Sequence, residues 1–107
     1  TLRVAREAIG KKLLEAGRIQ SLDEMTRLLP HGVSHYVGLD CHDVGDRGLL
    51  EPGMIVTMEP GAYMPELGFG IRIEDDALIT EDGAVLLSPN IPKTVEEIEA
   101  YMARRNP

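Results

Sequence analysis

The sequence has no tryptophan, one phenylalanine and one cysteine. A single thiol, Cys41, excludes an intrachain disulfide, so any core must hold without covalent staples, and a reducing compartment is the expected setting. No apolar run approaches the ~20 residues needed to cross a bilayer. No charged-then-apolar leader opens the chain, which therefore reads as soluble and cytoplasmic, with no membrane partner. Excess positive charge is missing as well. Eleven basic residues face 18 acidic ones for a net charge of -7, which argues against nucleic acid or an anionic membrane surface as a partner. There are no repeats, low-complexity tracts or linkers, and 107 residues suffice for one domain with a modest core.

What is present is unevenly spread. Residues 1–30 hold six basic and four acidic groups, whereas residues 31–107 hold five basic and fourteen acidic ones. The acidic part also holds all three histidines, His31, His35 and His42, within HGVSHYVGLDCHD, and then Glu59 in MEPG and Glu74 in GIRIED. Imidazole nitrogen and carboxylate oxygen together suit zinc, manganese and related divalent ions. A site with open positions polarises a carbonyl and sharpens a bound water, so the expected chemistry is metal-assisted hydrolysis.

The pattern predicts helices at both ends with strands between. Leu2, Ala5, Ile9, Leu13 and Ala16 recur at helical spacing, and Gly17 follows as a stop, giving an amphipathic helix from Leu2 to Ala16. Ser21 with Glu24 forms a capping box for a short second helix through Met25, Leu28 and Leu29, ended by Pro30. On a helix His31 and His35 would share a face, as in the zinc-protease HExxH arrangement, but the glutamate of that motif is absent. Val33, Tyr36 and Val37 between Gly32 and Gly38 favour an extended or looped path. After the Pro52-Gly53 turn, Met54 to Glu59 alternates as a strand with Glu59 on the face of Ile55 and Thr57. Gly70 to Thr80 reads as one further strand with Arg72, Glu74 and Asp76 on one face, and antiparallel pairing of the two would set Glu59 beside Glu74. Asp82-Gly83 signals a hairpin into Val85 to Leu87. Thr94 with Glu97 caps a last helix from Val95 to Arg104, with Ile98, Tyr101 and Met102 facing inward.

Each chemical residue also has a plainer reading. A single histidine such as His35 is commonly a hydrogen-bonded structural group. Glu59 can serve as a turn carboxylate or cap, since an unpaired buried one is expensive. Glu74 can pair with Arg72 on an exposed strand face. Asp40, Asp43 and Asp46 read best as turn formers.

The blocks HGVSHYVGLDCHD, LEPGMIVTMEPGAYM and GFGIRIEDDALIT, from about Pro30 to Arg105, resemble the signature blocks of the Xaa-Pro aminopeptidase and prolidase group of pita-bread metallopeptidases. The resemblance implies an α+β unit, half of a pita-bread fold, with a curved antiparallel sheet flanked by helices. Residues 1–107 then correspond to the C-terminal half of a metallopeptidase catalytic domain. His35, Glu59 and Glu74 match the metal ligands on one concave face, with Glu74 bridging two ions about 3.5–4 Å apart. His31 and His42 match histidines that contact substrate or stabilise developing charge, Arg72 matches an arginine packed beside the site, and Glu59 also helps to move the proton. The cofactor implied is a pair of divalent ions, manganese foremost, with cobalt or zinc as alternatives. The substrate implied is a peptide with proline at its second position.

Two aspartate ligands and a further substrate-site histidine belong to the family's first half, and no segment here matches it. Partners therefore include the missing N-terminal half or a second copy in a homodimer, and the isolated chain is expected to be inactive. A non-catalytic binding or assembly module on the same fold is the alternative. Aminopeptidase and dipeptidase remain undistinguished.

Overall fold

A computed structural model describes residues 1–45 and 48–105; the expected turn former Asp46 lies outside the described residues. The chain opens with α1 (Leu2–Glu15), then a 3₁₀ turn (Leu22–Glu24) running into α2 (Met25–Leu28). Gly17, at φ 65, takes the left-handed conformation that ends α1. The capping box of Ser21 and Glu24 forms as expected, but it opens the 3₁₀ turn that precedes α2.

These pieces build the core. Ile19, Met25, Leu28, Leu29, Val33 and Met64 are buried together, and the α1 stripe of Leu2, Ala5, Ile9 and Leu13 packs against them. Gly10 sets how closely α1 can approach. A Cβ there would stand 2.7 Å from Leu22 and 2.9 Å from Met25. Arg6 donates from its guanidinium to the Leu29 carbonyl at 2.9 Å, which ties α1 to the end of α2.

The sheet elements follow as β1 (Ile55–Met58), β2 (Gly61–Met64), β3 (Phe69–Arg72), β4 (Asp75–Thr80) and β5 (Gly83–Leu86). They form a three-stranded antiparallel sheet in the order β1-β4-β5 and a two-stranded one of β2 and β3. The single strand expected over Gly70 to Thr80 is thus two strands in separate sheets, broken at Ile73 and Glu74. Yet the register carries through the break. Met58 faces Asp75 on one side and Gly61 faces Arg72 on the other, so continuing the count sets Glu59 opposite Glu74 and Pro60 opposite Ile73.

Pro60 explains the gap. On β1 the N–H groups of Thr57 and Glu59 point away from β4, to the carbonyls of His35 and Val33 at 2.9 and 3.0 Å. Residues 54, 56 and 58 therefore face β4, and the Met54 carbonyl accepts from Ile79 N–H at 2.8 Å. The next donor due on that side belongs to residue 60, and proline has none.

The β4–β5 hairpin turns through Glu81 and Asp82, with Gly83 already paired to Thr80. α3 (Val95–Arg105) closes the described chain, and its Thr94–Glu97 capping box is present in both directions. One expectation fails here. α3 buries none of its residues, and Ile98, Tyr101 and Met102 are exposed. Among the described residues no helix is long and apolar enough to cross a membrane.

Candidate metal centre

The HGVSH segment lies against the free edge of β1, and this placement brings His35 to the carboxylates. Tyr36 bridges to Val56, while Thr57 holds His35 twice: its N–H donates to the His35 carbonyl at 2.9 Å, and its Oγ1 accepts from the His35 N–H at 3.0 Å. Thr57 is only 2% exposed, so this clamp is shielded from competing water. The path is not helical, in line with the extended or looped course that Val33, Tyr36 and Val37 between Gly32 and Gly38 favoured.

The imidazole is aimed as well as placed. Nδ1 of His35 lies 2.9 Å from the Tyr36 carbonyl, which can only accept, so Nδ1 carries the proton and Nε2 presents its lone pair. That nitrogen stands 3.5 Å from Glu59 Oε1 and 3.9 Å from Glu74 Oε1. One donor atom from each of His35, Glu59 and Glu74 falls within 4.8 Å of the other two. The two carboxylates differ in setting: the Glu59 side chain is 12% exposed and that of Glu74 44%. Glu59 is the last residue before Pro60, and Glu74 sits in the opposing break, so the gap in the ladder is where both carboxylates emerge.

Arg72 reaches Glu59 Oε2 at 3.9 Å, in place of the Arg72–Glu74 pairing weighed from sequence. The His42 ring stands edge-on to His35 with centroids 4.4 Å apart. A cleft of about 1020 Å³ opens beside both rings, with Ser34, Tyr36, Leu50 and Val56 among its walls. His31 is held elsewhere: its contacts run to the Gly32 carbonyl and to the Tyr63 hydroxyl, 2.8 Å from Nε2. Asp43 shapes its loop, accepting from the backbone N–H of Leu39 and Val44 at 2.9 and 2.8 Å. Cys41 is exposed.

Several participants gave no signal in the sequence. Tyr63 faces Gly70 across β2 and β3, and a Cβ at Gly70 would overlap the tyrosine ring. Thr57 looked like an ordinary strand residue. Behind Glu74, Asp75 Oδ1 accepts from Lys93 Nζ at 2.8 Å and from Ser88 Oγ at 2.9 Å. The Lys93 hydrogen bond, followed by that of Ser88, holds the Asp75 carboxyl below the usual aspartate range.

A model of metallopeptidase family M24 matches residues 3–81. The chain is 41% identical to Xaa-Pro aminopeptidase 3 of Rattus norvegicus over an alignment covering 90% of this chain and 22% of that protein. It is 52% identical to the Xaa-Pro aminopeptidase of Escherichia coli strain K12, over 67% of this chain and 19% of that protein. Among solved structures, zinc-substituted E. coli aminopeptidase P in complex with product aligns with a TM-score of 0.81 at 38% identity, covering 99% of this chain and 28% of that one. The chain thus spans less than a third of the length of each of these proteins.

Proposed function

The chain belongs to metallopeptidase family M24 and carries part of a pita-bread fold, and we propose that it is the C-terminal half of a catalytic domain that removes an N-terminal residue from peptides with proline in second place. One observation carries this reading: His35, Glu59 and Glu74 converge with a lone pair and two carboxylates toward a common point. Separations of 3.5 and 3.9 Å are short enough for donors about 2.0–2.2 Å from a shared ion. The oxygen-rich set with one imidazole suits manganese, with cobalt or zinc as alternatives. When bound, such an ion supplies Lewis-acid polarisation and a more acidic water.

The chain's own residues do the rest. His35, fixed through Tyr36 and Thr57, keeps Nε2 pointed at the site. Glu59 takes the proton of the attacking water on a carboxylate oxygen, with Arg72 balancing its charge. His42, beside the open cleft, donates a ring N–H to the carbonyl oxygen as charge develops there. His31, braced by Tyr63, contacts the substrate.

Alone, the chain holds one ion weakly and does not cleave, because the remaining ligands of the family site come from the first half. Exposed apolar residues on β5 and α3, Val85, Leu86, Ile98 and Met102 among them, support a covering partner. That partner is the first half or, in the isolated chain, a second copy in a symmetric dimer. Calorimetric titration of manganese into chelator-treated protein tests the site: weak binding is expected, and His35→Ala and Glu59→Gln are expected to abolish it. Unchanged binding in both variants would overturn the ligand set. Manganese-dependent release of an N-terminal residue from an Xaa-Pro peptide by the pure chain would overturn its inactivity, and a monomer in sedimentation at micromolar concentration would remove the dimer.

A further inference from the structure

Glu74 has an anchoring problem. It belongs to neither ladder, since β3 ends at Arg72 and β4 begins at Asp75, and its side chain is nearly half exposed. A carboxylate on such a backbone loses rotational freedom when it binds an ion, unless something nearby has already fixed the chain. The tether available is the next residue. Asp75 turns to partners other than those of Glu74: its Oδ1 accepts from both Lys93 Nζ and Ser88 Oγ at 2.8 and 2.9 Å. Lys93 Nζ also donates to the Ser88 carbonyl at 3.0 Å, which closes a three-membered cluster.

The cluster is shielded and reaches beyond its own loop. The Asp75 side chain is 14% exposed and that of Lys93 24%, so the pair is screened less than a surface ion pair. Lys93 is itself held by the cap of α3, because its N–H and that of Thr94 both donate to Glu97 Oε2 at 3.0 Å. A continuous run of hydrogen bonds therefore leads from the start of α3 to the residue beside Glu74.

We propose that Lys93 and Ser88 are positioning residues for Glu74, acting through Asp75. The proposal rests on the reading of Glu74 as a metal ligand. Outer partners of metal ligands typically change affinity by about 10–100-fold when removed, and an indirect tether belongs at the lower end.

The test is manganese titration of the purified chain with parallel thermal denaturation of the metal-free form. Lys93→Met is expected to weaken manganese binding about tenfold, a greater loss than is explained by the modest fall in the metal-free thermal midpoint that leaving Asp75 without its cation brings. Lys93→Arg, which keeps a cationic donor, is expected to restore affinity. Ser88→Ala, which removes one hydroxyl and spares the Lys93–Asp75 pair, is expected to give a smaller loss in the same direction and serves if Lys93→Met does not fold. Parental affinity in both Lys93→Met and Ser88→Ala overturns the proposal. So does an affinity loss that only tracks a fall in the midpoint, since the cluster is then merely structural. Parental affinity in Glu74→Gln is a different result: it removes Glu74 from the ligand set and the premise with it.

Discussion

α1 and α3 carry the same kind of amphipathic pattern, and each is preceded or followed by recognisable stop and start signals. The apolar stripe of α1 lies on Met25, Leu28 and Leu29, which are 1%, 0% and 0% exposed. The stripe of α3 meets nothing comparable, and Ile98, Tyr101 and Met102 remain 46%, 45% and 51% exposed. Periodicity records that a helix has a face to bury; it does not record what the face is buried against. Where this chain brings its own counter-surface, as the turn and α2 do for α1, the pattern ends in a core. Where it does not, the pattern ends in an apolar face left open among the described residues.

The strongest way to break this comparison is to cut into each end. Leu28→Ala is expected to destabilise the chain by about 2–5 kcal/mol, through lost burial and an uncollapsed cavity. Ile98→Ala in the isolated chain is expected to change stability by less than about 0.5 kcal/mol. Urea denaturation of both variants checks this, and similar losses would mean that α3 is buried in solution. Adding a partner that covers α3 should raise the cost of Ile98→Ala toward core values.

A second variant probes the site end. Gly70→Ala is expected to cost about 1 kcal/mol, because the added Cβ on this exposed strand meets the Tyr63 ring. Its more specific effect is to displace the Tyr63 ring and with it the hydroxyl that His31 touches. The His31 ring resonances in a proton NMR spectrum should shift while those of His35 hold. Unmoved His31 signals would show that the tyrosine does not brace it.

The smallest effect concerns the cap of α3. The backbone N–H groups of Lys93 and then Thr94 hold the Glu97 carboxyl below its ordinary value of 4.5. A carboxyl depressed in the folded state contributes stability that is present above its unfolded value and is lost as pH falls through the folded one. Helicity followed by circular dichroism should therefore decline from near pH 4.5 downward. Glu97→Gln should start with less helix and lose that part of the pH dependence. A parental acid profile in Glu97→Gln would remove the cap from the account.

Much of the architecture was legible because it depends on neighbours close in sequence. Both capping boxes, the Gly17 stop, the strand β1 and the β4–β5 hairpin are local signals, and the structure places all of them, although β1 buries the adjacent Val56 and Thr57 together. The grouping of His35, Glu59 and Glu74 was legible for a different reason: their blocks resemble a family's signature, and antiparallel pairing of the two glutamate-bearing segments added only that Glu59 would lie beside Glu74. The structure brings one donor atom of each within 4.8 Å of the others. What escaped the sequence depends on partners far along the chain. The break at Ile73 and Glu74 is caused by Pro60 on the opposing strand, and no local pattern in GFGIRIEDDALIT contains it. Lys93 carried no local signal, because its contact with Asp75 spans 18 positions. Tyr63 reaches His31 because Gly70, opposite it in the ladder, leaves room for its ring.

The shared register on both sides of the Pro60 gap has a consequence for how such a chain can change over time. Glu59 and Glu74 are opposed because the two arms leading out to the Pro65–Gly68 tip have equal lengths. A residue lost from one arm alone would slide that arm by one step and turn its carboxylate to the far side of the ribbon. Length variation in descendants of this sequence is thus confined to the tip itself, or to matched insertions in both arms, and sequencing a library of single-codon deletions selected for manganese retention would display that symmetry directly.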